Sequence, residues 1–119
     1  MNTHRKGWAW RRKVEMWFEE AGFRTTTRGI GYSGDDIFAT QPENCTGIGA
    51  PGLNLSVECK NAREITLAAF VDQAERQART YPAEDGVLPV AIIHRKGKAA
   101  VDDGYVVLPG WAFIELVTR

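Results

Sequence analysis

A chain of 119 residues, 44% hydrophobic and 25% charged, has material for one folded domain with a real core and too little for two. Lys plus Arg and Asp plus Glu balance at 15 each, which excludes the global positive field of a generally basic nucleic-acid binder. The two cysteines, Cys45 and Cys59, make no disulfide framework and lack metal-site spacing. With no signal peptide and no apolar run of spanning length, a cytoplasmic protein with reduced thiols is expected. The charge is unevenly spread: His4, Arg5, Lys6, Arg11, Arg12 and Lys13 crowd the N-terminus, while acids gather at Asp35, Asp36 and Glu58. A basic segment beside an acidic one suits a metal-dependent enzyme working on a polyanion, and equally a neutral protein with scattered surface charge.

Residues 1–7 are polar and basic and are expected to form a loose arm. From Trp8 to Ala21 the apolar residues Trp10, Val14, Trp17, Phe18 and Ala21 recur at helical spacing, and Gly22 closes the run. Glu15 falls about 100° round from Val14, at the edge of the apolar stripe. It either reaches over the sheet or stays an exposed glutamate, and Arg11 lies one turn earlier as a possible partner. Phe23 to Arg28 alternates and is β-prone. Gly29, Gly31 and Gly34 then break the chain into a loop carrying Tyr32 and Ser33. Asp35-Asp36-Ile37-Phe38-Ala39 opens a second strand; an aspartate at a strand mouth projects into a site or makes a turn. Gln41 to Gly52, with Pro42 and Pro51, reads as a hairpin-type loop returning the chain antiparallel.

Leu53 to Lys60 alternates strictly, with Leu53, Leu55, Val57 and Cys59 to one side and Asn54, Ser56, Glu58 and Lys60 to the other. Glu58 and Lys60 therefore leave one face roughly 6–7 Å apart, at ~3.3 Å per residue. Alone, a Glu-x-Lys is an ordinary solvent-facing ion pair. Beside other polar groups it becomes a metal-holding carboxylate next to an ammonium that can orient a water.

Thr66 is placed as an N-cap for a helix running to about Tyr81 and stopped by Pro82, with Leu67, Phe70, Val71, Ala74 and Ala78 on its apolar side. Gln73 and Gln77 share another face. Val87 to His94 is almost continuously apolar, as for a parallel strand covered on both sides. The intervening helix then makes a β-α-β crossover. Arg95-Lys96-Gly97-Lys98 is a basic turn, Tyr105 to Leu108 a further strand, and Pro109 marks the start of a helix over Trp111 to Val117. The expected architecture is α/β, in the order α-β-β-β-α-β-β-α, with a mixed central sheet flanked by helices.

The polar residues at strand mouths and helix edges are Glu15, Asp36, Glu58, Lys60 and Gln73. Phosphodiester hydrolysis uses Mg²⁺ held by one or more carboxylates, with waters and phosphate oxygens completing its shell. The metal acidifies a water and offsets phosphate charge, and a lysine adds to that stabilisation. At this point the chain resembles a known family. A helix with Glu, then Gly-Asp-Asp-Ile, then Val-Glu-Cys-Lys-Asn, then a helix carrying Gln is similar to the PD-(D/E)xK nuclease superfamily, whose restriction-endonuclease-like α-β-β-β-α-β core matches nearly the whole chain. Arg5-Lys6-Gly7, Ala21-Gly22-Phe23 and Ser33-Gly34 before Asp-Ile resemble the archaeal-type Holliday junction resolvases. Short phage proteins with Glu-Cys-Lys-Asn and a Gln-Ala-rich following helix look similar too.

The resemblance implies that Asp36 and Glu58 bind Mg²⁺, or Mn²⁺ in its place, with the Cys59 backbone carbonyl as a further ligand. It implies that Lys60 positions the attacking water, that Gln73 supports the site or contacts phosphate, and that Glu15 is the carboxylate of the first helix. Asp35 stands where the family usually has Pro, and Ile37 after Asp36 favours Asp36 as the ligand. In the archaeal resolvases the first-helix Glu lies about one turn earlier, where this chain has Arg11. The expected function is a Mg²⁺-dependent DNA endonuclease acting on branched DNA, as a homodimer, without organic cofactor or membrane, in a host cytoplasm if phage-encoded. Arg5, Lys6, Arg11, Arg12, Arg28, Ser33, Lys96 and Lys98 would meet the DNA. The alternatives are a restriction-like, repair or nicking nuclease of the same fold, and a non-catalytic nucleic-acid-binding module.

Overall fold

The computed structural model of the chain describes residues 3–27, 35–42 and 52–118, the first four of them by backbone alone. Helix α1 (Thr3–Glu20) leads into β1 (Arg24–Thr27), β2 (Ile37–Thr40) and β3 (Asn54–Lys60). Helix α2 (Leu67–Ala78), strands β4 (Leu88–Ile93) and β5 (Tyr105–Val107), and helix α3 (Gly110–Val117) follow, with a single 3₁₀ turn before each of the last two strands. The sheet order is β1-β2-β3-β4-β5. Among the described strands only β3 and β4 pair in parallel, and α2 makes the crossover between them. This is the expected element order.

The start of the first helix corrects one expectation. Residues 3–7, assigned to a loose arm, lie within α1. Lys and Arg propagate a helix well even where no apolar stripe marks it, so periodicity placed the boundary too late. The other end is where Gly22 predicts. Gly22 adopts φ 98°, its N–H donates to the Glu19 carbonyl, and the Phe23 N–H reaches the Phe18 carbonyl at 3.0 Å. That is a Schellman ending, and the Phe18 and Phe23 rings meet at 5.2 Å to complete it.

One face of the sheet is covered by α1. Trp10, Val14 and Phe18 pack on Ile37, Ala39, Val57, Val90 and Ile92, and each buried Val, Ile or Phe among them contributes about 1.5–3 kcal/mol. The Trp10 indole N–H donates to the Ile92 carbonyl at 3.1 Å, so this ring is buried with its one polar atom satisfied. The other face is covered by α2, whose Phe70 meets Ala91 and Ile93. Being covered twice, β4 is buried at all six positions, as its unbroken apolar run requires.

Pro89 sits in that central strand without breaking it. The His94 N–H donates to the Lys60 carbonyl, so even-numbered amides of β4 face β3 and odd-numbered ones face β5. The β5 pairing reaches back only to Ala91, so the donor that Pro89 lacks has no ladder partner to lose. At the sheet's far end Ala112 of α3 packs on Leu53 and Leu88. Among the described residues, no helix is long and apolar enough to cross a membrane.

Candidate active site

The polar face of β3 lies under α2 and is not the solvent face that alternation alone would allow. Ser56 is fully buried and Glu58 is only 2% exposed. A carboxyl buried to that degree is costly unless something compensates it. Lys60 Nζ lies 3.9 Å from Glu58 Oε2, a loose ion pair, while Glu58 Oε1 is buried with no hydrogen-bond partner among the described residues. Burial above all, and then the charge of Asp36, push the Glu58 carboxyl up to about 8; Lys60 acts against this.

Asp36 comes from the mouth of β2. Its N–H donates to the Val57 carbonyl at 3.0 Å, and its Oδ2 accepts the Cys59 amide at 2.8 Å. Burial raises its carboxyl above the ordinary range, while the Cys59 amide, Lys60 and Arg11 pull it down. A strand residue directs its N–H and C=O to the same edge, so the Cys59 carbonyl also lies on the side of Asp36. The Cys59 thiol points the other way, against the core under α1, where burial drives its titration well upward. A partly buried thiol packed on the core, with its titration driven upward, is a packing group and not a nucleophile.

Lys60 is held by α2. Its Nζ donates to Gln73 Oε1 at 2.6 Å and sits 5.4 Å from the centroid of the Phe70 ring. Asp36, Glu58, Lys60 and Gln73 are thus brought to one end of β3. The Glu15 carboxylate pairs with Arg12 on the same helix. From the same helix the charge of Arg11 acts on Asp36 and draws its carboxyl down.

Asp35, the other half of the acidic pair, has a different setting. It is 4% exposed and accepts from Ser56 Oγ at 2.9 Å and from the Tyr81 hydroxyl at 2.7 Å. Sequence reasoning missed Ser56 and Tyr81. Tyr81 reads only as the residue before a helix-stopping proline, and nothing in the spacing joins positions 35 and 81.

Lys96 and Lys98 lie in the exposed turn just beyond β4, closed by a hydrogen bond from the Lys98 N–H to the Arg95 carbonyl. Because β3 and β4 are parallel and Lys60 pairs with Ile93, this turn leaves the sheet at the same end as Lys60. Lys13 of α1 reaches the Ala99 carbonyl at 3.3 Å beside it. Arg28, Ser33 and Cys45 lie outside the described residues, as do the side chains of Arg5 and Lys6.

Two carboxylates, of which Glu58 keeps a buried oxygen with no hydrogen-bond partner among the described residues, are a hard, oxygen-only donor set. They suit Mg²⁺, which takes one or two carboxylates and keeps waters. Among the described residues there is no cluster of three or more His, Cys, Asp or Glu of the kind that forms an all-protein metal cage.

A helix, a three-stranded antiparallel meander, a crossover helix and a parallel fourth strand make the restriction-endonuclease-like core, the fold of the PD-(D/E)xK nucleases. Among solved structures the chain is similar to Hjc of Archaeoglobus fulgidus, a Holliday junction resolvase from an archaeal hyperthermophile. The TM-score is 0.53 at 19% identity, over 82% of this chain and 74% of that one. No protein-family model matches the sequence, and no curated protein does.

Proposed function

We propose that the chain is a Mg²⁺-dependent DNA endonuclease acting on branched DNA, with Asp36, Glu58 and Lys60 as its working groups. The observation that carries this reading is Glu58: a carboxyl 2% exposed, set against the Asp36 carboxyl and beside an ammonium, with one buried oxygen that no donor of the described residues reaches. As a structural element that arrangement only costs stability, whereas a cation offsets the charge of both carboxylates. The likeness to an archaeal junction resolvase supports branched DNA as the substrate class.

In this reading Asp36, Glu58 and the Cys59 carbonyl hold the metal. When bound, Mg²⁺ supplies charge neutralisation at the phosphate and acidifies a water. Lys60 orients the attacking water and stabilises the charge that builds on the phosphate oxygens. Water adds at phosphorus, the bond from phosphorus to one sugar oxygen breaks, and that oxygen leaves with a proton. Gln73 fixes Lys60 from α2 while bringing no charge of its own. Arg11, Lys96 and Lys98 meet flanking phosphates at the same end of the sheet; Arg12, paired with Glu15, serves less directly. Mn²⁺ would substitute for Mg²⁺.

A homodimer would place two such sites on the two strands to be cut. The half-exposed Trp111, Phe113 and Ile114 of α3 and Val106 of the edge strand β5 supply an apolar surface for it. The test is cleavage of four-way junction, duplex and single-stranded DNA with Mg²⁺, for the wild type and for Lys60→Ala. Cutting of the junction alone, lost in Lys60→Ala, is the expected result. Cutting of plain duplex would move the assignment to a restriction-like or repair nuclease. Binding with no metal-dependent cutting would leave a nucleic-acid-binding module.

A further inference from the structure

The buried Asp35 carboxylate lies one residue before the proposed ligand and is tied to two other elements. Ser56 Oγ, from the covered face of β3, donates to Asp35 Oδ2 at 2.9 Å. The Tyr81 hydroxyl, from the segment that ends α2, donates to the same oxygen at 2.7 Å. The Tyr81 ring is seated in turn, 4.8 Å from the Phe38 ring of β2. Three separate elements thus meet at one oxygen, 4% exposed as a residue, where hydrogen bonds to a carboxylate are at their strongest. A bare carboxylate would not stay buried there, so the hydroxyls and the charge hold one another in place.

The next residue is where this anchor has its effect. The Asp36 N–H reaches the Val57 carbonyl, and its Oδ2 reaches the Cys59 amide. Asp36 itself precedes the regular pairing of β2 with β3, which begins at Ile37 opposite Val57. Beyond that single bond to Val57, backbone pairing with β3 does not hold Asp36 in place. We infer that Asp35, Ser56 and Tyr81 are positioning residues: a three-element anchor that holds the mouth of β2 so that the Asp36 carboxylate stays on the Cys59 amide and faces Glu58. The inference rests on the reading of Asp36 as a ligand only for its functional consequence; the anchor itself is a statement about geometry.

The experiment uses the full chain, with Tyr81→Phe, which keeps the ring on Phe38 and deletes the hydroxyl, and Ser56→Ala as a second variant. Hydrogen exchange at the Cys59 amide is followed against that of Ile92 and Ile93 in β4, and Mg²⁺ is titrated by amide shifts at Asp36 and Glu58. Each variant is expected to speed exchange at Cys59 about tenfold, the effect of one lost hydrogen bond to a buried charge, with the β4 amides unchanged. Each is expected to weaken Mg²⁺ binding by a similar factor, with cleavage recovered at saturating metal. Unchanged exchange at Cys59 would overturn the anchor, as would a uniform loss of protection across β3 and β4, which marks general destabilisation. If the wild type shows no Mg²⁺-dependent shifts, the nuclease reading fails, and the Cys59 exchange rate still decides the anchor.

Discussion

Lys60 donates from Nζ to the side-chain oxygen of Gln73 at 2.6 Å, a bond that ties the end of β3 to the middle of α2. The partner is neutral. Glu58, the nearest acid, stands off at 3.9 Å, so the ammonium is steered by an amide and not locked to a carboxylate. A positively charged group held this way keeps its charge available to a phosphate.

Replacing Gln73 by Ala should therefore lower kcat for cleavage by about tenfold while leaving DNA affinity nearly unchanged, since what is lost is orientation. Gln73→Glu should do more damage, because a second anion would hold Lys60 in a closed pair. Lys60→Ala should cost about 10²–10⁴-fold in kcat, the range for a group acting directly on the reacting atoms. Single-turnover cleavage beside equilibrium DNA binding separates the two quantities. Equal losses in both for Gln73→Ala would remove its orienting role.

The raised Glu58 carboxyl makes a prediction about stability. Its folded value of about 8 lies above the ordinary 4.5, owing first to burial and then to the charge of Asp36. Folding of the metal-free protein thus takes up a proton between those values. This contribution is full below about 4.5 and is lost as pH rises through about 8, a few kcal/mol at most. Asp36, raised by burial, acts in the same direction. In a chelator the melting temperature should fall from about pH 5 to about pH 8, and Glu58→Gln should flatten that fall. Mg²⁺ should restore more stability at the upper end, because it binds the deprotonated carboxylates and releases protons. A flat wild-type profile in chelator would show that Glu58 is not buried as an acid.

Most of the fold was legible in the sequence, and the reasons lie in particular residues. The alternation of Leu53 to Lys60 fixed both the strand and the shared face of Glu58 and Lys60, because strand side chains have a period of two. The apolar run into Ile93 predicted a doubly covered strand, and β4 is buried throughout. What stayed hidden depended on contacts between distant positions. No local signal says that Tyr81 reaches back to Asp35. On α1, helical spacing put Glu15 at the edge of the apolar stripe, but it carried no sign that Arg12, one turn away, engages that carboxylate or that the charge of Arg11 acts on Asp36. The alternation also left open whether the Glu58 face was wet. Only the packing of α2 across β3 decided that.

Gly104 offers a prediction that is independent of the site. A Cβ there would stand 2.8 Å from the Ile93 carbonyl oxygen and 3.2 Å from that of Val101. Ile93 is fully buried backbone in the central sheet and cannot retreat. Gly104→Ala should therefore destabilise the fold by about 1–3 kcal/mol, as overpacking does. Gly110, at the first turn of α3, has nothing within 4 Å of its built Cβ. Gly110→Ala should be neutral or stabilising by up to ~1 kcal/mol through helix propensity. Urea midpoints of the two variants should move in opposite directions or differ by that margin. A Gly104→Ala midpoint equal to wild type would mean that the turn before β5 sits further from β4.

The basic turn beyond β4 bears on the DNA reading through salt. Lys96 and Lys98 are exposed and emerge at the Lys60 end of the sheet. Each phosphate contact releases condensed counterions, so log K falls with log salt by about 0.9 per contact on duplex DNA. Changing both lysines to Ala should weaken binding of junction and duplex alike and reduce the salt slope by up to about 1.8. The rate of cleavage at saturating DNA should hold, because neither residue touches the groups around Glu58. Affinity measured from low to moderate salt, for wild type and the double variant, provides both the intercept and the slope. An unchanged slope would place the DNA path elsewhere, along the α1 side at Arg11, where the same measurement on Arg11→Ala would then show the loss.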